Sequence, residues 1–199
     1  TNVSIAELPP HLPQAFIAIE DRRFYSHFGV DPQGIGRAIV ANVTRRGLSQ
    51  GASTITMQLA KNLFLTQERT MWRKLQEVEL ALFLERKHSK SEILELYLNR
   101  VYFGSGAYGV EAAAQRYFGK SAKNVTLAEA AMLAGLVKSP SRLAPSRNPN
   151  GAERRAQIVL AAMAEQGFIT DTMAKTALMQ PGRAVKPAGA GSVNSVAVW

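Results

Sequence analysis

Two Ser/Thr-x-x-Glu boxes, Ser89-Lys90-Ser91-Glu92 and Thr126-Leu127-Ala128-Glu129, constrain the fold of this chain more than any other feature. In such a box the hydroxyl accepts from the N–H three residues on and the carboxylate reaches back, so two orphaned donors are satisfied and a helix begins at a defined residue. The first predicts a helix over 91–100, the second a helix to about Val137. Similar punctuation recurs along the chain. Leu8-Pro-Pro-His-Leu-Pro13 is a rigid entry to a short helix over 14–22. Asp31-Pro32 is an N-cap with Pro at the first helical position, and Ile35, Ile39 and Val43 recur behind it every four residues. The helical pattern returns over Thr54 to Leu65, Met71 to Arg86, Glu111 to Phe118 and Ala152 to Gln166, with Gly167 as the cap of the last. Trp72, Leu75, Val78, Leu82 and Phe83, at helical spacing, read as core. Residues 104–109 read as turn, 140–151 with three prolines as irregular loop, and 44–51 as a mobile loop. No segment carries a strand pattern of useful length, so the fold class is mainly α.

At 199 residues, 46% of them hydrophobic, the chain suits one domain with a proper core, over 1–180. Residues 181–199 lose periodicity and read as a linker towards a further domain. The absence of an initiator Met and of a signal peptide reads as an excised fragment. A net charge of +9 favours a polyanionic partner: nucleic acid, an acidic membrane or a phosphorylated substrate. The basic residues are dispersed, with no run longer than Arg22-Arg23, Arg45-Arg46 or Arg154-Arg155 and no RNA-recognition signature, so nucleic acid is set aside. Without cysteine there is no disulfide, thiolate nucleophile or cysteine-ligated metal, which suits cytoplasm and periplasm alike.

Three polar clusters carry the candidate chemistry. Glu20 and Asp21 sit beside cations and Phe24 and precede His27; locally this is either a solvated helix end or an acid/base site, because a carboxylate against apolar neighbours has its pKa raised. The stretch Gly51-Ala-Ser53-Thr54-Ile-Thr-Met-Gln58-Leu-Ala-Lys61-Asn62 places Thr54, Gln58 and Lys61 on one helical face. That face is either solvated or a cradle for an anionic sugar. Downstream, Arg73 and Glu77 are spaced as an i, i+4 pair, and Lys138 ends a helix where it either complements the dipole or meets an anion.

In this order and spacing the clusters resemble the peptidoglycan glycosyltransferases of glycosyltransferase family 51, the lysozyme-like domain of class A penicillin-binding proteins and of monofunctional cell-wall transglycosylases. Five motifs carry the resemblance: Glu20-Asp21-Arg-Arg-Phe24-Tyr-Ser-His27-Phe-Gly29, the stretch from Gly51 to Asn62, Arg73-Lys74-Leu-Gln-Glu77, Lys90 to Gly104, and Arg154-Arg155-Ala-Gln-Ile-Val159-Leu160. Met57 stands where the family usually has the first of two glutamines; the second, Gln58, is retained. The resemblance implies a lysozyme-like helical domain with a larger globular lobe and a smaller membrane-proximal one. It implies an inverting polymerase that moves a glycan from undecaprenyl pyrophosphate onto the 4-hydroxyl of lipid II. Glu20 would then be the base and Glu77 would help the leaving side. Asp21, Phe24, His27, Ser53, Thr54, Gln58, Lys61, Asn62, Arg73 and Lys138 would make up the substrate site.

No organic cofactor is implied, and a divalent cation, Mg or Mn, at the pyrophosphate is optional. The implied partners are lipid II, the growing strand, the membrane surface, a transpeptidase domain and the cell-wall synthesis machinery. The implied location is the periplasmic face of the cytoplasmic membrane, behind an N-terminal anchor absent from this sequence, with Ile35, Ile39 and Val43 dipping into the bilayer. Two rival readings are a lysozyme-like glycan-cleaving enzyme and a non-catalytic cell-wall or lipid-binding module.

Overall fold

The computed structural model describes residues 2–44 and 53–179. Of the loop expected at 44–51, Thr44 ends α2 and residues 45–51 lie outside the described residues, as do the linker expected at 181–199 and the side chain of Val43. Ten α-helices follow in order among the described residues: α1 His11–Glu20, α2 Pro32–Thr44, α3 Ile55–Leu63, α4 Met71–Lys87, α5 Lys90–Arg100, α6 Val110–Phe118, α7 Leu127–Leu136, α8 Pro140–Leu143, α9 Pro149–Glu165 and α10 Asp171–Met179. The only extended pairing among them is an antiparallel bridge between Tyr102 and Tyr108.

Both boxes close as the sequence requires. Ser89 accepts from Glu92 N–H and Thr126 from Glu129 N–H, and each glutamate carboxylate returns to the cap's own N–H. Helix α7 is the centre of the molecule. Every residue from Ala128 to Leu136 is buried, and a helix apolar on all sides is stable only when surrounded. Helices α1, α6, α8, α9 and α10 pack round it. Its small residues let the neighbours approach: a Cβ on Gly135 would stand 2.9 Å from Arg155 Cβ, so α9 crosses α7 at that glycine. The one charge buried within it, Glu129, is matched by Lys120 at 2.8 Å.

Helix α3 packs against α4 and α5. The two groups of helices share an aromatic core in which Phe16 of α1 lies edge-on to Tyr97 of α5 at 6.1 Å and to Phe103 at 5.9 Å. The N-terminal segment is tied to α5 by side chains: Asn99 exchanges two hydrogen bonds with the backbone of Val3, and Glu95 accepts from Ile5 N–H.

Three sequence expectations fail locally. Residues 140–151 are not irregular throughout, because Pro140 and Pro149 each take an early helical position, opening α8 and α9. Proline is tolerated there since its missing N–H has no helical partner to lose. Helix α10 was not anticipated; Ala174 is its one buried residue, so it carries almost no apolar stripe. On α4 the buried face is Glu77, Ala81 and Leu84, whereas Trp72, Leu75 and Phe83 are exposed, Trp72 by 68%.

The chain turns from α5 to α6 through three glycines of positive φ, of which Gly104 and Gly109 sit against backbone. Gly109, at φ 84°, would bring a Cβ to 2.6 Å from Asn99 O, whereas Gly106, at φ 74°, has open space. Gly109→Ala is expected to lower stability by about 2–4 kcal/mol and Gly106→Ala by about 1 kcal/mol, read as urea midpoints. Equal losses would mean that the close approach contributes nothing.

Candidate active site

Helix α1 ends at Glu20, and Asp21 is its C-cap. That end is held from 148 residues away, where Gln166 Nε2 at the end of α9 donates to the Ala18 carbonyl at 2.9 Å. A last-turn carbonyl has no helical donor, so this bond both satisfies it and fixes where Glu20 stands.

Asp21 turns inward. Its Oδ2 accepts from His27 Nε2 at 2.6 Å and from Ile55 N–H, the first residue of α3, at 3.0 Å. His27 Nδ1 accepts from Gly29 N–H at 3.0 Å, which assigns the ring proton to Nε2. Thr54 caps α3 by accepting from Met57 N–H and donates its own hydroxyl to the Gly29 carbonyl at 2.6 Å. Beneath the network Phe24 is fully buried, with Lys90 Nζ over its ring at 4.7 Å and bonded to Glu85 at 2.7 Å. The α1 end and the α3 start are thus joined by buried polar contacts.

Glu20 is half-buried beside this junction. Gln58 Nε2 donates to its Oε2 at 3.3 Å, and Tyr97 donates its phenol to Gln58 Oε1 at 3.1 Å. Burial pushes the Glu20 carboxyl above its ordinary range; the Gln58 bond and the positive charges of Arg155 and Lys138 pull it back, and the Asp21 charge adds to the rise. Arg155 is half-buried on α9 and donates to the Gly135 carbonyl at 3.3 Å, while Lys138 follows α7 and is exposed. The site is therefore an acid of raised pKa with a donor on one side and two cations close by.

The expected site residues separate into groups. Glu20, Gln58 and Lys138 come together, and Ser53 is half-buried with its carbonyl 3.5 Å from Gln58 Nε2. Lys61 and Asn62 are exposed further along α3. Asp21, Phe24, His27 and Thr54 are buried, and a solute reaches none of these side chains without displacing the packing around them. The expected pairing of Arg73 with Glu77 is corrected. The Arg73 guanidinium is taken up by Thr66, Gln76 and Glu68 and stacks on Phe64 at 4.3 Å, and buried Glu77 faces Lys74 Nζ at 3.6 Å. The i, i+4 spacing permits the contact, but the turn before α4 offers arginine a backbone carbonyl and an aromatic face that suit its planar fork better. Two participants were missed. Tyr97 and Arg155 lie in the fourth and fifth motifs, yet their spacing along the helix is that of ordinary packing residues.

Comparison with known proteins gives the family. The sequence model of the Transglycosylase family matches residues 1–164. The chain belongs to that family. It is 51% identical over 179 residues to penicillin-binding protein 1A of Aquifex aeolicus, covering 90% of this chain and 25% of that protein. It is 52% identical over 168 residues to penicillin-binding protein 1A of Escherichia coli, covering 84% of this chain and 20% of that one. The crystal structure of penicillin-binding protein 1A from Haemophilus influenzae superposes with a TM-score of 0.57 at 28% identity, over 94% of this chain and 18% of the other. The chain thus spans about a quarter or less of the length of these relatives. It is a peptidoglycan glycosyltransferase domain with a mainly α fold, as the five motifs imply.

The raised pKa of Glu20 has a measurable consequence for stability. A folded-state pKa above the unfolded one means that the contribution of this carboxyl is fully present at low pH and is lost as pH rises through the folded value. Glu20→Gln, neutral throughout, is expected to melt higher than the parent at pH 8 and at the parent's temperature at pH 4. A variant melting below the parent at pH 8 would mean that the Arg155 and Lys138 attraction outweighs burial.

Proposed function

We propose that the chain polymerises glycan strands by transferring the sugar of an undecaprenyl-diphosphate-linked glycan onto the 4-hydroxyl of lipid II, with Glu20 as general base. The observation that carries this reading is the raised, half-buried Glu20 with Lys138 and Arg155 beside it. A sugar hydroxyl is a poor nucleophile near neutral pH, and a base matched to that pH contributes on the order of a hundred-fold or more. In the step, the Glu20 carboxylate takes the hydroxyl proton while the oxygen attacks the donor's anomeric carbon opposite the diphosphate. The bond from the anomeric carbon to the diphosphate oxygen breaks, and the diphosphate leaves with that oxygen and the bonding pair. Attack from the opposite face turns an α-linked donor into a β-1,4 product.

The leaving diphosphate gains charge, so cations must stand where that charge develops. Lys138 and Lys61 are exposed and serve this role, with Arg155 supporting from a half-buried position. Arg73 shapes the turn into α4 and reaches the diphosphate only by giving up contacts it already makes. Glu77, facing Lys74, does not repel a departing anion as an unpaired carboxylate would, and it places that ammonium on the leaving side. Gln58 orients the base, and half-buried Ser53 and exposed Asn62 are assigned to sugar hydroxyls. Asp21, Phe24, His27 and Thr54 hold the frame.

Among the described residues no three acidic or histidine side chains converge to hold a metal. A divalent cation at the diphosphate would therefore rest largely on phosphate oxygens, with at most two acidic or histidine side chains of the described residues, and no step is routed through it. No organic cofactor has a role in this chemistry.

A polyprenyl substrate stays in a bilayer, so the site works at a membrane surface. Support comes from the net charge of +9 and from large apolar side chains left exposed on α2 and α4, among them Ile39, Val40, Met71 and Trp72. No helix among the described residues is long and apolar enough to cross a membrane. We place the domain on the periplasmic face of the cytoplasmic membrane, working with a transpeptidase domain and the cell-wall synthesis machinery.

The test is incubation of the chain with labelled lipid II in detergent and separation of polymer from monomer on a gel. Polymer is expected from the parent, a loss of about a hundred-fold or more from Glu20→Gln, and a loss of about tenfold from Lys138→Ala or Lys61→Ala with Glu20 intact. Shortening of soluble glycan by the parent, with lipid II untouched, would replace the polymerase by a cleaving enzyme. Undiminished polymer from Glu20→Gln would remove Glu20 as base.

A further inference from the structure

We propose that Tyr97 is a positioning residue for the reaction: its phenol anchors Gln58 Oε1 and so holds the amide N–H in place against Glu20. The inference deepens the reading of Glu20 as base and rests on it for its catalytic meaning.

An amide side chain can present either of two chemically opposite ends, and nothing in its own shape chooses between them. Here two acceptors choose and a hydroxyl anchors the choice. Tyr97 O–H donates to Gln58 Oε1 at 3.1 Å, and Gln58 Nε2 is 3.3 Å from Glu20 Oε2 and 3.5 Å from the Ser53 carbonyl. Turned over, the amide would set its oxygen against two acceptors at once, a carboxylate and a carbonyl, leaving those acceptors without a donor in a half-buried place. The two acceptors set that orientation, and the Tyr97 hydroxyl, able to donate or accept, completes it by donating to Oε1 and holding the amide in place.

The phenol is suited to a fixed donor's task. Tyr97 is fully buried and packs edge-on against Phe16 at 6.1 Å, so the ring cannot swing away. Burial, and next the Glu20 and Asp21 charges, push its own ionisation well up, so it keeps its proton at any pH at which Glu20 acts. The donor that Gln58 then offers opposes the rise that burial imposes on the Glu20 carboxyl. Helix α5 thus sets the behaviour of a base on α1 through one side chain of α3.

The test begins with the carboxyl itself, which needs no substrate and so separates this inference from the proposed reaction. Glu carbons are labelled with ¹³C, the Glu20 resonance is assigned by its loss in Glu20→Gln, and its titration is followed in the parent, Tyr97→Phe, Gln58→Ala and the double variant. Tyr97→Phe is expected to move the Glu20 midpoint up by about 0.5–1 pH unit, and the double variant no further than Gln58→Ala alone. With lipid II, the acidic limb of the kcat profile should move up by the same amount, with kcat down about three- to tenfold and KM unchanged. An unmoved midpoint in Tyr97→Phe, or additive shifts in the double variant, overturns the inference whether or not the chain polymerises. Should Tyr97→Phe melt well below the parent, 3-fluorotyrosine at position 97 keeps the ring and makes a stronger donor. It is expected to lower the Glu20 midpoint, and no movement would again overturn the proposal.

Discussion

The structure depends on a single carboxylate oxygen. Asp21 Oδ2 accepts from His27 at 2.6 Å and from the first N–H of α3 at 3.0 Å, so it joins the loop after α1 to the start of the helix carrying Gln58 and Lys61. A buried carboxylate is tolerable only when its lone pairs are met, and a helix N-terminus meets them with a donor and a favourable dipole together. Thr54 strengthens the same junction by capping α3 and bonding the Gly29 carbonyl. Two carboxylates adjacent in sequence are thereby given opposite tasks. Asp21 is spent on architecture, and Glu20, one residue earlier, is left partly open with a raised pKa.

What surrounds Glu20 is a balance between burial and charge. Apolar packing disfavours its carboxylate, while one amide N–H and two cations favour it. None of these groups comes from the helix that carries it. Gln58 is brought by α3, Arg155 by α9 and Lys138 by the end of α7. The close crossing at Gly135, where a Cβ would meet Arg155 at 2.9 Å, is part of this arrangement because it lets α9 lie deep enough against α7. A core glycine thus bears on the electrostatics of the site through a packing distance.

The apolar residues divide in a way that periodicity does not reveal. On α7 the apolar positions surround the helix and all are buried. On α4 they also surround it, yet Trp72, Leu75 and Phe83 face solvent while Glu77 is turned inward towards Lys74. A seventeen-residue helix with apolar side chains on several faces has no unique inner side until its neighbours are known. Among the described residues α3, α5 and the Gly29 loop pack against α4, and Trp72, Leu75 and Phe83 are left exposed.

By itself the sequence determined what is local. The two capping boxes, the proline at the start of α2, the glycine after α9 and the ordered motifs all act within a few residues, and they specified the helices, the family and the candidacy of Glu20. The same local view misread prolines 140 and 149 as loop, because a proline says only that no N–H is needed, which suits a helix start as well as a loop. The tertiary structure decided whatever depends on who meets whom. It took Phe24, His27 and Thr54 out of reach of a solute, gave Glu77 a lysine in place of Arg73, and brought Tyr97 and Arg155 to the surroundings of Glu20 from 77 and 135 residues away. Burial and long-range charge are properties of the packed whole. Spacing along one helix cannot encode them, so the surroundings of Glu20 were decided only when α3, α5, α7 and α9 closed on the end of α1.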